Sequence, residues 1–316
     1  MSGLSLGIDG QTMPLGAVAS LVTGADGGAS ADPSSPLSAL GLFVNGQGSF
    51  GHQRTTEREP GFDFHTSGVT LGADYRFTPQ LILGGAAGYV STKADLQDPG
   101  GVFDTRGLSA SAFGTYYVDQ FYVDGIATYG WNHYDTKRHI VFADLARTAK
   151  GDTDGRQLAL SVGGGYDFPL QALTLGLHGR INYVNVAIDK FGERGADLFN
   201  LRVDDQKIES LATVLGSQIS YAVSMPWGVL MPTVRGEWEH EHKGDGRTIR
   251  GSLLADPLAT ALGTRTNDPD RDYFNLGAGL SATFQRGVSA FVYYETVLGR
   301  ANFTNHSFTG GIRLEF

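Results

Sequence analysis

The run Val69-Thr-Leu-Gly-Ala-Asp-Tyr-Arg-Phe77, the turn Thr78-Pro79-Gln80 and the run Leu81-Ile-Leu-Gly-Gly-Ala-Ala-Gly-Tyr89 decide the fold. Val69, Leu71, Ala73, Tyr75 and Phe77 fall on one side of a period of two, and Thr70, Gly72, Asp74 and Arg76 on the other. Successive side chains of an extended strand point to opposite faces, so the alternation reads as a strand with one apolar and one polar face. The Pro-containing triplet reverses the chain. Leu81, Leu83, Gly85, Ala87 and Tyr89 then start the same pattern again.

Working outward, the pattern recurs from Leu40 to Phe316. Leu42, Val44 and Phe50 precede it; Leu108 to Val118, Phe121 to Trp131, Leu158 to Phe168 and Leu173 to Tyr183 follow. Leu211 to Val223, Leu230 to Trp238, Leu276 to Phe284, Val288 to Tyr294 and Phe308 to Phe316 complete it. This makes twelve strands, each long enough to cross a bilayer at a tilt. Five links are tight: Thr78-Pro79-Gln80, Asp119-Gln120, Pro169 to Ala172, Pro226-Trp227-Gly228 and Gln285-Arg286-Gly287. The intervening links, near residues 51–65, 92–104, 135–154, 185–207 and 242–270, are long; only the one near Arg300 to Phe303 is short. Short turns at one end and long loops at the other describe an outer-membrane barrel. A soluble sandwich has no reason to keep them apart.

Charge obeys the same alternation. Asp74, Arg76, Asp124, Asp167, Arg180, Arg235, Glu237, Glu295, Arg313 and Glu315 all fall on the polar side. An Arg or Lys on the lipid face near mid-bilayer costs about 2–4 kcal/mol, so these residues are expected to line a lumen. Tyr75, Phe77, Tyr89, Tyr116, Phe168, Tyr183 and Tyr221 lie near strand ends, as an interfacial aromatic girdle requires. Composition agrees. Glycine supplies 45 of 316 residues, twice the usual share of about 7%. Cysteine is absent, which excludes disulfides, thiolate metal sites and thiol nucleophiles. The net charge of −9 argues against nucleic acid as a partner.

The segments Gly61-Phe-Asp-Phe-His-Thr-Ser-Gly-Val-Thr-Leu-Gly-Ala-Asp-Tyr-Arg-Phe77, Phe121-Tyr-Val-Asp-Gly125, Tyr129-Gly-Trp-Asn132 and Phe308-Thr-Gly-Gly-Ile-Arg-Leu-Glu-Phe316 together resemble the C-terminal β-domain of type V autotransporters. The resemblance runs from about Leu40 to Phe316. It implies a twelve-stranded translocator barrel in the bacterial outer membrane, without catalysis or cofactor, that anchors and exports an N-terminally attached passenger. It implies partners too: outer-membrane lipid, the barrel-assembly machinery and the chain's own passenger segment inside the lumen. Phe308, Ile312, Leu314 and Phe316 match the terminal alternation that the assembly machinery reads. The chain is taken as a monomer. A stand-alone surface adhesin and a general porin are the rival readings.

Residues 1–39, rich in Gly, Ala and Ser, read as a linker or lumen segment before the barrel of residues 40–316, with a short helix expected around Leu15 to Val22. The family's amphipathic helix is not evident there, and no Asn-Asn cleavage junction occurs. Met1 is followed by no signal peptide or passenger, which reads as a truncated or processed piece. Gly3-Leu-Ser5-Leu-Gly7 matches a nucleophile-elbow pattern but lacks the strand that must precede the serine. His240 and His242, with nearby carboxylates, have a spacing that suits zinc; they read more simply as a polar strand end. Asp268, Asp270 and Asp272 lack the glycine turn and distal glutamate of a calcium loop.

Overall fold

A computed structural model describes residues 39–97, 100–142, 145–243 and 245–316. Ser5 and the helix expected near Leu15 to Val22 lie outside the described residues. The strands are β1 (Leu40–Gln53), β2 (Phe62–Arg76), β3 (Leu81–Leu96), β4 (Gly101–Val118), β5 (Phe121–Phe142), β6 (Leu145–Leu170), β7 (Leu173–Ile188), β8 (Phe191–Gly192), β9 (Leu201–Val203), β10 (Gln206–Tyr221), β11 (Val223–Met225), β12 (Gly228–Glu241), β13 (Thr248–Leu253), β14 (Leu262–Arg265), β15 (Asp272–Phe284), β16 (Val288–Leu298) and β17 (Phe303–Glu315).

Thirteen of these form one antiparallel sheet. β10 and β11 are two pieces of one stave broken at Ala222, which leaves the twelve staves expected. β1 pairs β17 from Gly41 opposite Glu315 to Gln53 opposite Phe303. β10 pairs β12 from Ala212 opposite Glu241 to Ser220 opposite Thr233. The ring is therefore closed and has no edge. Closure is what a bilayer demands of a sheet, because hydrocarbon offers no partner to a free backbone N–H or C=O.

The two walls follow the alternation. Leu71, Leu108, Val162, Ile181, Leu215, Val234 and Val292 are exposed on the outer wall. Two aromatic belts flank them. One lies at the tight-turn end, where Tyr75 and Phe77 meet edge-on at 5.0 Å and Tyr166 and Phe168 stand 4.6 Å apart. The other lies toward the far end, with Tyr129 and Trp131 at 5.0 Å and Tyr294 and Phe308 at 5.0 Å. The two-residue turns each begin with a left-handed residue, Asp119 (φ 53°) and Gln171 (φ 60°), a twist that suits a hairpin. Pro169 is the next-to-last residue of β6, so that turn narrows to Gln171-Ala172.

At the opposite end the links differ in detail from the sequence expectation. β3 and β4 stay paired up to Leu96 opposite Gly101, and β5 and β6 up to Phe142 opposite Leu145. The excursions at 92–104 and 135–154 are thus paired ribbon rather than irregular loop. The reason is that leaving the bilayer does not stop the hydrogen-bond ladder, and polar residues such as Asp135 and Asp152, directly opposed, suit a strand wetted on that side. Links 185–207 and 242–270 contribute β8, β9, β13 and β14, which pair as a second, four-stranded sheet. Phe191, Leu201, Val203 and Ile249 form its small core.

The glycine excess has a physical use on the inner wall. Phe43 faces Gly72 across the ladder, Phe113 faces Gly84, Tyr122 faces Gly165, Phe291 faces Gly311 and Tyr293 faces Gly279. At each glycine an added Cβ would run into the facing ring. The ring lies over the glycine backbone, filling a lumen too narrow for two large opposed side chains.

Two outcomes test this arrangement. Gly277→Ala puts a methyl into the Tyr293 ring, whereas Gly236→Ala meets nothing within 4 Å. The first should cost about 1–3 kcal/mol and the second under about 0.5 kcal/mol, read from unfolding by gel mobility in urea. Leu215→Arg on the outer wall should cost about 2–4 kcal/mol. Gln218→Glu on the same stave, facing Arg235 Nε from 3.3 Å, should cost under about 1 kcal/mol. Equal losses would contradict the assignment of the two walls, and the opposite order would mean that they are reversed.

Candidate functional site in the barrel lumen

Strand parity sends one side chain in two into the lumen, and the charged ones meet there. In mid-barrel Glu237 is the hub. Its Oε1 lies 2.8 Å from His178 Nε2 and 3.7 Å from Arg235 Nη1, and its Oε2 accepts from Arg180 Nη2 at 3.1 Å. Arg235 donates from Nε to Gln218 Oε1 and lays its guanidinium 5.2 Å from the Tyr293 ring centre. Glu239 accepts from Asn275 Nδ2 at 3.0 Å, and Glu295 Oε2 lies 3.5 Å from the Tyr293 hydroxyl. Buried charge survives only when paired and hydrogen-bonded, and this cluster is built that way. Nearer the tight-turn end Arg313 holds Asp74 through two hydrogen bonds of 2.5 and 2.7 Å and reaches Glu315 at 3.0 Å.

The remaining residues of the expected lumen set are placed individually. Asp124 and Asp167 are half-buried on β5 and β6, and Arg76 is exposed at the end of β2. Of the terminal strand, Phe308, Ile312, Leu314 and Phe316 are all exposed on the outer wall. They form one apolar row on the face opposite Arg313.

Toward the far end the inner wall turns apolar. Phe62, Phe64, Phe103, Tyr134, Val184, Val186 and Ile188 make a buried cluster, with Phe303 packed against it. Sequence reading treated the inner face as uniformly polar and missed this. The signal was present as the odd phase of Gly61-Phe-Asp-Phe-His65, where the aromatics share the phase of Asp74 rather than that of Leu71.

Above that cluster the loops lock to one another. Asn267 Nδ2 donates to Thr56 Oγ1 and to Glu59 Oε2, both at 2.7 Å, across 208 or more residues of chain. Arg138 on the protruding β5–β6 ribbon clamps Glu193 with two hydrogen bonds and donates to the Phe199 carbonyl at 3.0 Å. Beneath lies a cavity of about 870 Å³, lined by Glu59, Glu209, Glu241, Lys243, Asp268 and Arg300 among others. Outside the membrane span, Lys243 is pushed above its ordinary value, chiefly by its hydrogen bond to Glu209. Asp268 is held below its ordinary 3.8, first by the Gly246 N–H and then by Arg265.

The His240 and His242 rings meet edge-on with centroids 4.8 Å apart, but each has a nitrogen bound to a different partner. His240 Nδ1 lies 2.8 Å from Asp272 Oδ1, and His242 Nε2 lies 2.8 Å from Thr213 Oγ1. Asp268 accepts from the Gly246 N–H at 2.8 Å, while Asp270 accepts from the Ala301 N–H at 2.6 Å. These bonds turn the carboxylates toward separate partners. Among the described residues no three His, Asp or Glu side chains converge on a metal-sized point.

With this geometry in hand, likeness to known proteins is informative. The Autotransporter beta-domain family profile matches residues 42–295. Esterase EstA of Pseudomonas aeruginosa is 31% identical over 193 residues, covering 60% of this chain and 29% of the esterase. An extracellular serine protease of Serratia marcescens is 24% identical over 284 residues, covering 87% of this chain and 26% of the protease. The chain therefore spans less than a third of the length of either relative. Among solved structures, the translocator domain of the autotransporter NalP from Neisseria meningitidis superposes with a TM-score of 0.72 at 19% identity, over 96% of this chain and 95% of that one. The β-domain of the Bordetella autotransporter BrkA gives 0.63 at 22% identity, over 88% and 100%. At these identities the superpositions speak for the fold.

The Asp268 contacts give a pH outcome. A depressed carboxylate stabilises its loop above the ordinary value of 3.8, and that stability drains away as pH falls through the lower folded value. Protease nicking within residues 245–268 should be constant from about pH 5 to pH 8 and rise below 3.8. Asp268→Asn should show the raised nicking already at pH 7.

Proposed function

The chain belongs to the autotransporter β-domain family, and from that premise we propose how its outer-membrane barrel serves export. A passenger attached before residue 1 reaches the cell surface with this barrel as its anchor. The segment that precedes Leu40 then stays in the lumen, running from the tight-turn end, where β1 begins, to the far mouth. The short turns face the periplasm, and the β5–β6 ribbon and the second sheet stand outside the cell.

One observation carries this reading: the inner wall is charged and self-paired, yet it keeps unmet hydrogen-bonding capacity. Asn45 Oδ1, Arg180 Nε and Asn305 Oδ1 are buried with no partner among the described residues. Buried polar atoms are rarely left so, and a polypeptide backbone in the lumen offers both donors and acceptors along its length. An apolar wall would instead make a polar chain pay desolvation at every residue.

The same reading assigns the barrel no catalysis. Activities such as that of the esterase relative belong to the passenger. The outward row Phe308, Ile312, Leu314 and Phe316 serves as the signal for the assembly machinery, and a closed ring without free edges serves as a monomer. One feature favours a second role for the loops: Val141, Phe142, Leu198, Phe199 and Leu258 are exposed at the extracellular end. Apolar groups in that position suit contact with a surface partner.

Planar-bilayer conductance tests the reading. The full chain should conduct weakly, and residues 40–316 alone should conduct several-fold better. Equal conductance would remove the N-terminal segment from the lumen. In cells, an epitope fused before Met1 should be shaved from intact bacteria by added protease; an epitope that stays protected would contradict export.

A further inference from the structure

β1 is the seam strand of the ring, with β2 on one edge and the last strand, β17, on the other. At Gly41 its two neighbours are Asp74 on β2 and Glu315 on β17; one residue pair further along, Phe43 lies between Gly72 and Arg313. Asp74 and Arg313 therefore belong to strands that do not touch. Yet the Arg313 guanidinium meets the Asp74 carboxylate through two parallel bonds of 2.5 and 2.7 Å, with the side chains only 4% and 2% exposed.

The bond passes over β1 at Gly41, where no side chain projects. A Cβ built on Gly41 would overlap the Arg313 guanidinium and stand 2.8 Å from Asp74 Oδ1. The backbone there has no left-handed φ, so the glycine is not needed for a turn; what it supplies is clearance. Gly46, on the outer wall of the same strand, has nothing within 4 Å of its added Cβ; Gly51, the other lumen-side glycine of β1, is crowded by the Thr304 carbonyl and the Phe64 ring rather than by an ion pair.

We propose that Asp74 and Arg313, bonded across the gap at Gly41, are positioning residues that lock the seam of the barrel, tying the second strand to the last over the first. Every other stave boundary in the ring joins staves that follow one another along the chain, held by the intervening turn or loop. The β1–β17 boundary joins residues 250 or more positions apart and has no covalent tie. A bidentate charge-assisted pair is the strongest non-covalent bond that side chains offer for such a joint, and its burial keeps water and salt from weakening it. The last strand then carries two instructions. Its outer row, Phe308 to Phe316, meets lipid, and its inner Arg313 shuts the ring. The inference needs the barrel to be membrane-embedded and is independent of what the barrel exports.

Hydrogen exchange followed by mass spectrometry on the full chain, refolded into phosphatidylcholine vesicles, tests the lock. Gly41→Ala keeps both charges but fills the crossing; Asp74→Asn removes one charge. Both should speed exchange in residues 40–53 and 303–315 by about tenfold or more and leave residues 121–170 within about twofold. Gly46→Ala should leave all of these unchanged. Glu237→Gln, which breaks a buried pair away from the seam, should speed exchange in residues 173–188 and 228–241 instead. If Asp74→Asn fails to refold, the pair Gly41→Ala and Gly46→Ala decides alone. A uniform acceleration around the ring, or an unchanged seam in Gly41→Ala, would overturn the proposal.

Discussion

In hydrocarbon a backbone amide or carbonyl without a partner costs several kcal/mol, and every other feature of this protein answers to that constraint. It forces the sheet to close on itself. Closure of twelve staves then fixes which side chains see lipid and which see each other. The outer wall must be apolar through its middle and amphipathic at its borders, and the two aromatic belts meet that need. Through the apolar band the inner wall receives the charge; outward charges such as Arg106, Asp135 and Asp154 lie beyond it, toward the long-loop end.

That inner charge is arranged rather than merely tolerated. Glu237 is shared among His178, Arg180 and Arg235, and Asp74 is held by Arg313. A lumen of apolar side chains would be more stable as a packed core, but it would collapse into one. Paired ions with some capacity left over keep a polar surface available, as the proposed export of a chain through the lumen would require. The apolar cluster around Phe64 and Tyr134 and the Asn267 latch to Glu59 lie toward the far mouth. They place a tighter collar beyond the polar stretch.

How far the sequence discloses this depends on the range over which each feature is determined. Alternation is a property of neighbours two apart, so the staves, the tight turns and the two walls could be read from Val69 to Tyr89 and its repeats. Pairing above the membrane could not. Residues 135–154 carry turn formers and charges that look like loop, and only the ladder between Asp135 and Asp152 reveals ribbon. Register is likewise invisible, and with it the facing of Phe43 and Gly72 or the reach of Arg313 over Gly41. Asp74 and Arg313 both stood out as charges on the polar side, but 239 residues of sequence separate them. His240 and His242 read from sequence as a polar strand end despite a spacing that suits zinc, and Asp272 and Thr213 take up one nitrogen of each ring.

The central claim is that one face of each stave meets lipid and the other a polar lumen, and the absence of cysteine makes it directly measurable. Single cysteines placed in turn at positions 212–221 of β10, each spin-labelled in vesicles, report accessibility to oxygen, which partitions into lipid, and to a polar nickel chelate. Oxygen accessibility should oscillate with a period of two, high at Leu215, Ser217 and Ile219 and low at Val214, Gly216 and Gln218, with the chelate weak at the lipid positions. A flat profile, or an oscillation of opposite phase, would contradict the account.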